Sequence, residues 1–410
     1  MDMSRSFISL QGVASPFFSE LGQLLRNAGH KTHRINFCGG DWLLSLSEPH
    51  TNFTGALSEW PAWLATELKR HQATDILLFG DCRAVHRAAV AVAKELKVRV
   101  FVFEEGYLRP DWVTLEVGGV NGFSGMDLMP ETIWAWAEGH AACTNAVMHH
   151  GAGSNMASRA VYDIAYRLAS SAMRWRFPSY QTHRPHNGVL EYAGLARRFG
   201  MKRWFEREAQ VVTTKLLVAN VPYFLFPLQL NADSQIRTHS PFANVIAAIE
   251  YVLASFQRAD FCQASPPVTL LIKNHPLDTG LARYRSYVAR RACELNLGDR
   301  VQFIEAGDLT LLLKHAQGVV LVNSTVGLTA LSMNCPVYAM GKAIFNMHKL
   351  TDQGSLAAFW KRPTPPDANF VEAFVAYVKA HSQVTGDFYS RTGRKHAVLG
   401  SLQRLLEVAP

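Results

Sequence analysis

Short apolar runs alternate with amphipathic stretches along the first third of the chain. FISL, KTHRINF, DILLF and VRVFVF have strand character, and helical spacing of apolar positions fills the gaps over Phe17 to Asn27, Trp60 to His71 and Arg83 to Leu96. Strands alternating with helices predict a doubly wound parallel sheet. Ligands bind beyond the carboxyl ends of such strands, and these ends carry Gln11-Gly12, Gly39-Gly40-Asp41, Gly80-Asp81 and Glu104-Glu105-Gly106. The pattern resumes near Lys215: KLLVAN, VTLLIK, VQFI, GVVLVN and PVYAM as strands, with helices over Pro241 to Phe256, Leu281 to Leu295, Leu309 to His315 and Gly327 to Met333.

At 410 residues the chain exceeds one hydrophobic core. The predicted class is α/β and GT-B-like, with two facing Rossmann-like domains. Residues 1–125 form an acceptor domain, 126–210 a helical, basic and aromatic insert, 211–365 a nucleotide-sugar domain, and 366–410 polar closing helices, one of them crossing back to the first domain.

Composition changes this picture only slightly. Hydrophobic residues at 48% and charged residues at 18% suit a packed globular enzyme. A net charge of +8 favours an anionic partner, either a nucleotide sugar or an acidic phospholipid. Nucleic acid is not expected, because no zinc-finger spacing, single-strand-binding signature or helix-turn-helix pattern is present. The six cysteines and sixteen histidines are dispersed, so neither disulfides nor a metal site is expected. MDMSRSFISLQG is too briefly apolar for a signal peptide, and Leu216 to Leu230 is broken by Asn220, Pro222 and Pro227. The expectation is a cytoplasmic protein whose membrane contact is peripheral. In the insert, Arg197, Arg198, Lys202 and Arg203 surround Trp204 and Phe205. Such a cluster suits an anionic bilayer surface, where each cation contributes about 1 kcal/mol, or else a solvated helical face.

Four segments carry chemistry. LLIKNHPLD ends a strand in Lys273-Asn274-His275-Pro276, where an imidazole and an ammonium can bind a phosphate leaving group. VVLVNSTVGL repeats the logic, with Asn323, Ser324 and Thr325 entering a helix near Gly327, a setting for anion binding at a helix start. EEGYLRPDW places Glu104 and Glu105 at a strand end as base candidates, and Arg109 can bind an anion or pair with one of them. FPLQLNADSQIR offers Gln229 and Ser234 as donor-side contacts and Asp233 as a nucleophile, unless Asp233 and Ser234 only cap the next helix. Gln11 and Gly12 are assigned to acceptor positioning. No clustered Asp-x-Asp motif is present, which fits a departing monophosphate stabilised without a divalent ion or other cofactor.

The opening QGVASPFFSELGQLLRNAGHKTHRINFCGGDW, together with EEGYLRPDW, LQLNADSQI, KNHP and NSTVGL in this order, resembles the capsule polysaccharide synthesis and export family, KpsS/LipB-type β-Kdo transferases, over most of the chain. The resemblance implies transfer of the first Kdo from CMP-β-Kdo to phosphatidylglycerol or its lyso form, with retention, at the cytoplasmic face of the inner membrane. It further implies capsule export machinery and a second Kdo transferase as partners. By this resemblance His275, Ser324 and Thr325 hold the CMP phosphate, Asp233 is the nucleophile candidate, and Glu104 or Glu105 is the base. The competing expectations are a non-catalytic lipid-binding export accessory and a sugar-nucleotide epimerase.

Overall fold

Strands lacking polar positions must be covered on both faces, and the computed structural model places them at the centres of two sheets. It describes residues 4–140, 156–182, 188–231, 234–259, 261 and 267–408. The chain divides into two units, Met1–Asp127 with Asn145–His183 and Tyr377–Pro410, and Leu128–Thr144 with Arg184–Ala376.

The first unit holds β1 (Ser6–Ser9), β2 (Lys31–Asn36), β3 (His50–Asn52), β4 (Asp75–Phe79), β5 (Arg99–Glu105), β6 (Trp112–Val117) and, late in the chain, β12 (Gln383–Thr385). Their order is β12-β6-β5-β4-β1-β2-β3. β1 to β5 are parallel, whereas β6 runs antiparallel to β5 and β12 antiparallel to β6. Alternate residues feed two cores: Phe7, Phe101 and Phe103 on one face, Ile8, Ile76 and Val102 on the other. Over the first face lies helix Phe17–Asn27, whose Phe17, Phe18, Leu21 and Leu25 are buried, together with helix Arg391–Glu407. The second unit holds β7 (Tyr223–Pro227), β8 (Thr269–Lys273), β9 (Val301–Ile304), β10 (Gly318–Leu321) and β11 (Val337–Ala339), all parallel in the order β11-β10-β7-β8-β9.

Three expectations change. KLLV is not a strand but the end of helix Lys202–Val218, which buries Phe205, Ala209, Thr213 and Leu216 at helical spacing; the strand is YFLFP. Asn220, at φ 48°, turns the chain between them. The insert is not one body, because Asn145–His183 belongs to the first unit and the helices from Gly188 to Val218 to the second. Helix Met156–Ala172 lies against Gly39 and Gly40, where added Cβ atoms would come within 2.2 Å of Ala169 O and 2.6 Å of the Tyr166 ring. The closing segment is more than an outer cover, since β12 extends the first sheet and Ala397, Val398 and Leu405 enter its core.

Candidate functional site

In the second unit, parallel pairing brings the carboxyl ends of β7, β8 and β10 to one edge of the sheet, with β7 in the middle. KNHP leaves β8 there and NST leaves β10. Two strand spacings of ~4.8 Å put the two segments roughly 10 Å apart across β7.

The KNHP turn is held from below. Asn274 is buried; its Oδ1 accepts the His275 N–H at 2.8 Å and its Nδ2 donates to Asp278 at 3.2 Å and to Glu305 at 2.7 Å. Glu305 also receives Arg198 Nη1 at 2.6 Å and lies 3.4 Å from Arg285 Nε. Burial opposes ionisation of Glu305, but the Asn274 hydrogen bond and the two guanidinium groups hold its carboxyl below the ordinary value. His275 Nδ1 accepts the Leu277 N–H at 3.1 Å. That bond fixes the neutral tautomer, so Nε2 carries the ring's N–H donor, and Pro276 stiffens the turn between them. Lys273 is buried at the end of β8, and burial, reinforced by Arg198, lowers its pKa. An arriving anion would favour its charged form.

At the β10 end, Asn323 and Gln229 are buried and engaged within the fold: Gln229 Nε2 donates to Asn323 Oδ1 at 3.0 Å, the Asn323 backbone N–H to Gln229 Oε1 at 3.2 Å, and Asn323 Nδ2 to His239 O at 3.2 Å. Both support the loop from within instead of offering amides to a nucleotide. Half-buried Ser324 accepts the Val326 N–H at 3.3 Å, while Thr325 at the helix start makes no capping bond. Helix Val326–Ser332 has 7 residues. Gly327 is required for packing, not for anion approach, since a Cβ would stand 2.4 Å from the Phe345 ring. Asp233 and the Ser234 side chain lie outside the described residues.

Several first-unit assignments need correction. Gln11 is 2% exposed, and its amide nitrogen is shared among Asp41 at 3.2 Å, Tyr166 at 3.1 Å and Tyr180 at 3.0 Å. Its amide nitrogen anchors the Tyr166 helix and is spent within the fold. Gly12 makes room for Phe18, whose ring would be 2.6 Å from a Cβ. Glu105 pairs with Arg159 at 3.3 Å, not with Arg109; it also accepts the Tyr389 hydroxyl at 3.3 Å. Exposed Arg109 donates Nε to Gly106 O at 3.2 Å. Glu104 Oε1 accepts the Glu105 N–H at 3.2 Å, and its Oε2 would be 3.2 Å from a Cβ on Gly80. Arg198, 8% exposed, is committed to Glu305 and is not a surface cation. Arg197, Lys202 and Arg203 are exposed, beside Phe199 at 79% and Trp204 at 54% exposure.

Residues missed by sequence reasoning include Glu305, whose signal was a carboxylate directly after the VQFI strand, and Glu116. Glu116 is buried, accepts the Tyr107 hydroxyl at 2.6 Å and bonds Ser124; burial pushes its carboxyl up to about 7. Among the described residues, two of the dispersed histidines come together where His33, Glu67 and His71 bring one donor atom each within 4.8 Å of the others.

A sequence model described as capsule polysaccharide biosynthesis protein matches residues 74–389. The chain belongs to this capsule polysaccharide biosynthesis family. Within the reach of the family, the chain is 32% identical over 94% of its length to the capsule polysaccharide export protein KpsS of Escherichia coli, covering 97% of that protein. It is 31% identical to the capsule polysaccharide modification protein LipB of Neisseria meningitidis over 95% of this chain and 93% of the relative. Among solved structures, the Thermosulfurimonas dismutans KpsC β-Kdo 2,7 transferase aligns over 98% of this chain and 99% of its own, with 12% identity and a TM-score of 0.44. No chemistry is carried over from a likeness that distant. No helix among the described residues is long and apolar enough to cross a membrane.

Proposed function

We propose that this protein is a glycosyltransferase of capsule assembly that moves Kdo from CMP-β-Kdo to phosphatidylglycerol or its lyso form with retention of configuration. One observation carries the reading: KNHP and NST leave parallel strands on either side of β7 at the same sheet edge, and a buried Asn274-Glu305-Arg198 network fixes the histidine. His275 Nε2–H and Lys273 neutralise charge that grows on the CMP phosphate as the glycosidic bond breaks, and Ser324 and Thr325 add hydroxyl donors. Asp233 captures the anomeric carbon, and the acceptor hydroxyl, giving up its proton to a carboxylate base for which Glu104 is the candidate, then displaces it. Glu105 is the weaker base candidate, since Arg159 and Tyr389 already engage it. In this reading Arg197, Lys202 and Arg203 with Phe199 and Trp204 form the contact to an anionic leaflet, and the enzyme works on the cytoplasmic face of the inner membrane beside its export partners.

The test combines the protein, a CMP-Kdo generating system and fluorescent phosphatidylglycerol in mixed micelles and in vesicles. The expected product is lipid heavier by one Kdo, with CMP released in equal amount. Lipid binding without any product in either presentation would instead assign the protein a non-catalytic role in export.

A further inference from the structure

We propose that His33, Glu67 and His71 form a structural binding site for a divalent transition metal of the zinc class in the first unit. Glu67 and His71 are one helical turn apart at the end of helix Trp60–Arg70, and His33 rises from β2 beneath them. One donor atom from each lies within 4.8 Å of the other two.

Burial makes the grouping specific. Glu67 is 6% exposed, and its Oε2 and His71 Nε2 are both shielded from solvent, 3.4 Å apart, with no hydrogen-bond partner among the described residues. Buried polar atoms are normally satisfied, and a cation between two such acceptors would satisfy both at once. Arg70 lies 3.5 Å from the other oxygen, Oε1, and is 68% exposed, so it is a weak counter-charge that leaves Oε2 unsatisfied. Thr51 Oγ1 bonds His33 Nε2 at 2.7 Å, the outer-shell contact that orients a ligating imidazole. The His33 and His71 rings stack at 4.0 Å with planes 26° apart, so ligation turns His71 towards Glu67 about its soft ring torsion.

Two imidazoles and one carboxylate form a three-residue set typical of zinc, with a fourth position for water. Magnesium and calcium would want more oxygen donors than one carboxylate supplies. The helix carrying Glu67 and His71 returns the chain to the start of β4, so the site lies away from the strand ends that carry Gln11 and Glu104. Its role is architectural: bound metal would tie helix Trp60–Arg70 to β2 near the β3 edge of the sheet.

Untagged full-length protein, stripped with chelator, is titrated with Co2+ and watched by visible absorption, with Zn2+ by calorimetry, and with each metal by thermal melting. We expect one equivalent of zinc bound at roughly micromolar Kd, an intense tetrahedral-type cobalt spectrum, a melting temperature raised by several degrees, and no response to Mg2+. His33→Ala and His71→Ala should each weaken zinc binding at least about tenfold and erase the cobalt spectrum, whereas substituting exposed His315 of the second unit by alanine changes neither. Glu67→Gln, which keeps the size of the side chain, guards against loss through misfolding and should also weaken binding. Zinc binding unchanged in His71→Ala and Glu67→Gln, or absent from the wild-type protein in the micromolar range, overturns the site.

Discussion

A histidine donates from one nitrogen only when something settles where its proton sits, and for His275 the Leu277 N–H does so. His275→Ala should therefore reduce Kdo transfer by about 100-fold or more with little change in melting temperature, as judged by initial rates of product formation. His275→Asn, which keeps a donor but not its reach, should recover only a small part. Glu116 obeys a different logic. The folded state holds its proton up to about pH 7, whereas the unfolded chain releases it near the ordinary value of 4.5. Native protein thus binds more protons in that window, so the stabilisation is complete below about 4.5 and disappears as pH rises through 7. Glu116→Gln imitates the protonated state. Melting curves from pH 5 to 8 should show the variant gaining on wild type as pH rises, by on the order of 2 kcal/mol at pH 8. Parallel pH profiles for the two proteins would rule this out.

Among the elements, helices Gly188–Gly200 and Lys202–Val218 contain two populations of cation that composition cannot separate. Arg198 is buried on Glu305, and removing one partner of a buried pair leaves the other uncompensated. Arg198→Ala should cost about 3 kcal/mol of stability and disturb the KNHP turn through Asn274 while leaving vesicle binding intact. Neutralising Arg197, Lys202 and Arg203 together should do the reverse, weakening sedimentation with anionic vesicles roughly 100-fold at unchanged melting temperature. Strand positions were legible where apolar runs were short and bounded, as in DILLF, VTLLIK and VQFI. KLLVAN misled because a four-residue apolar run has no period of its own, and the helix declared itself only over the preceding turns. The side chains at the strand ends were legible as types but not as roles. Gln11, Gln229 and Asn323 look like ligand contacts in sequence, yet all three are consumed by neighbours that only the fold supplies. The same blindness hid the grouping of His33 with Glu67 and His71, since His33 lies on β2 and the other two at the end of a helix. Gly39→Ala offers a test of the helix contact: with the Ala169 carbonyl 2.2 Å from the new methyl, the Tyr166 helix must shift, and about 1–3 kcal/mol should be lost in chemical denaturation.

At the level of the molecule, the first unit is assembled from three separate stretches of chain and the second mainly from one. The Gln383 side chain accepts the Tyr107 N–H at 3.0 Å and donates to Thr114 Oγ1 at 3.0 Å, so the strand nearest the chain's end clasps the EEGY turn. Val384, Phe388, Val398 and Leu405 complete the core above β5. At about 2 kcal/mol for each such side chain, that is comparable with the whole net stability of an ordinary domain. During synthesis, then, the half of the protein made first is the half finished last. A nascent chain halted before residue 377 has everything it needs to close the Arg184–Ala376 unit, while its leading sheet waits, incomplete, for the ribosome to deliver the final strand.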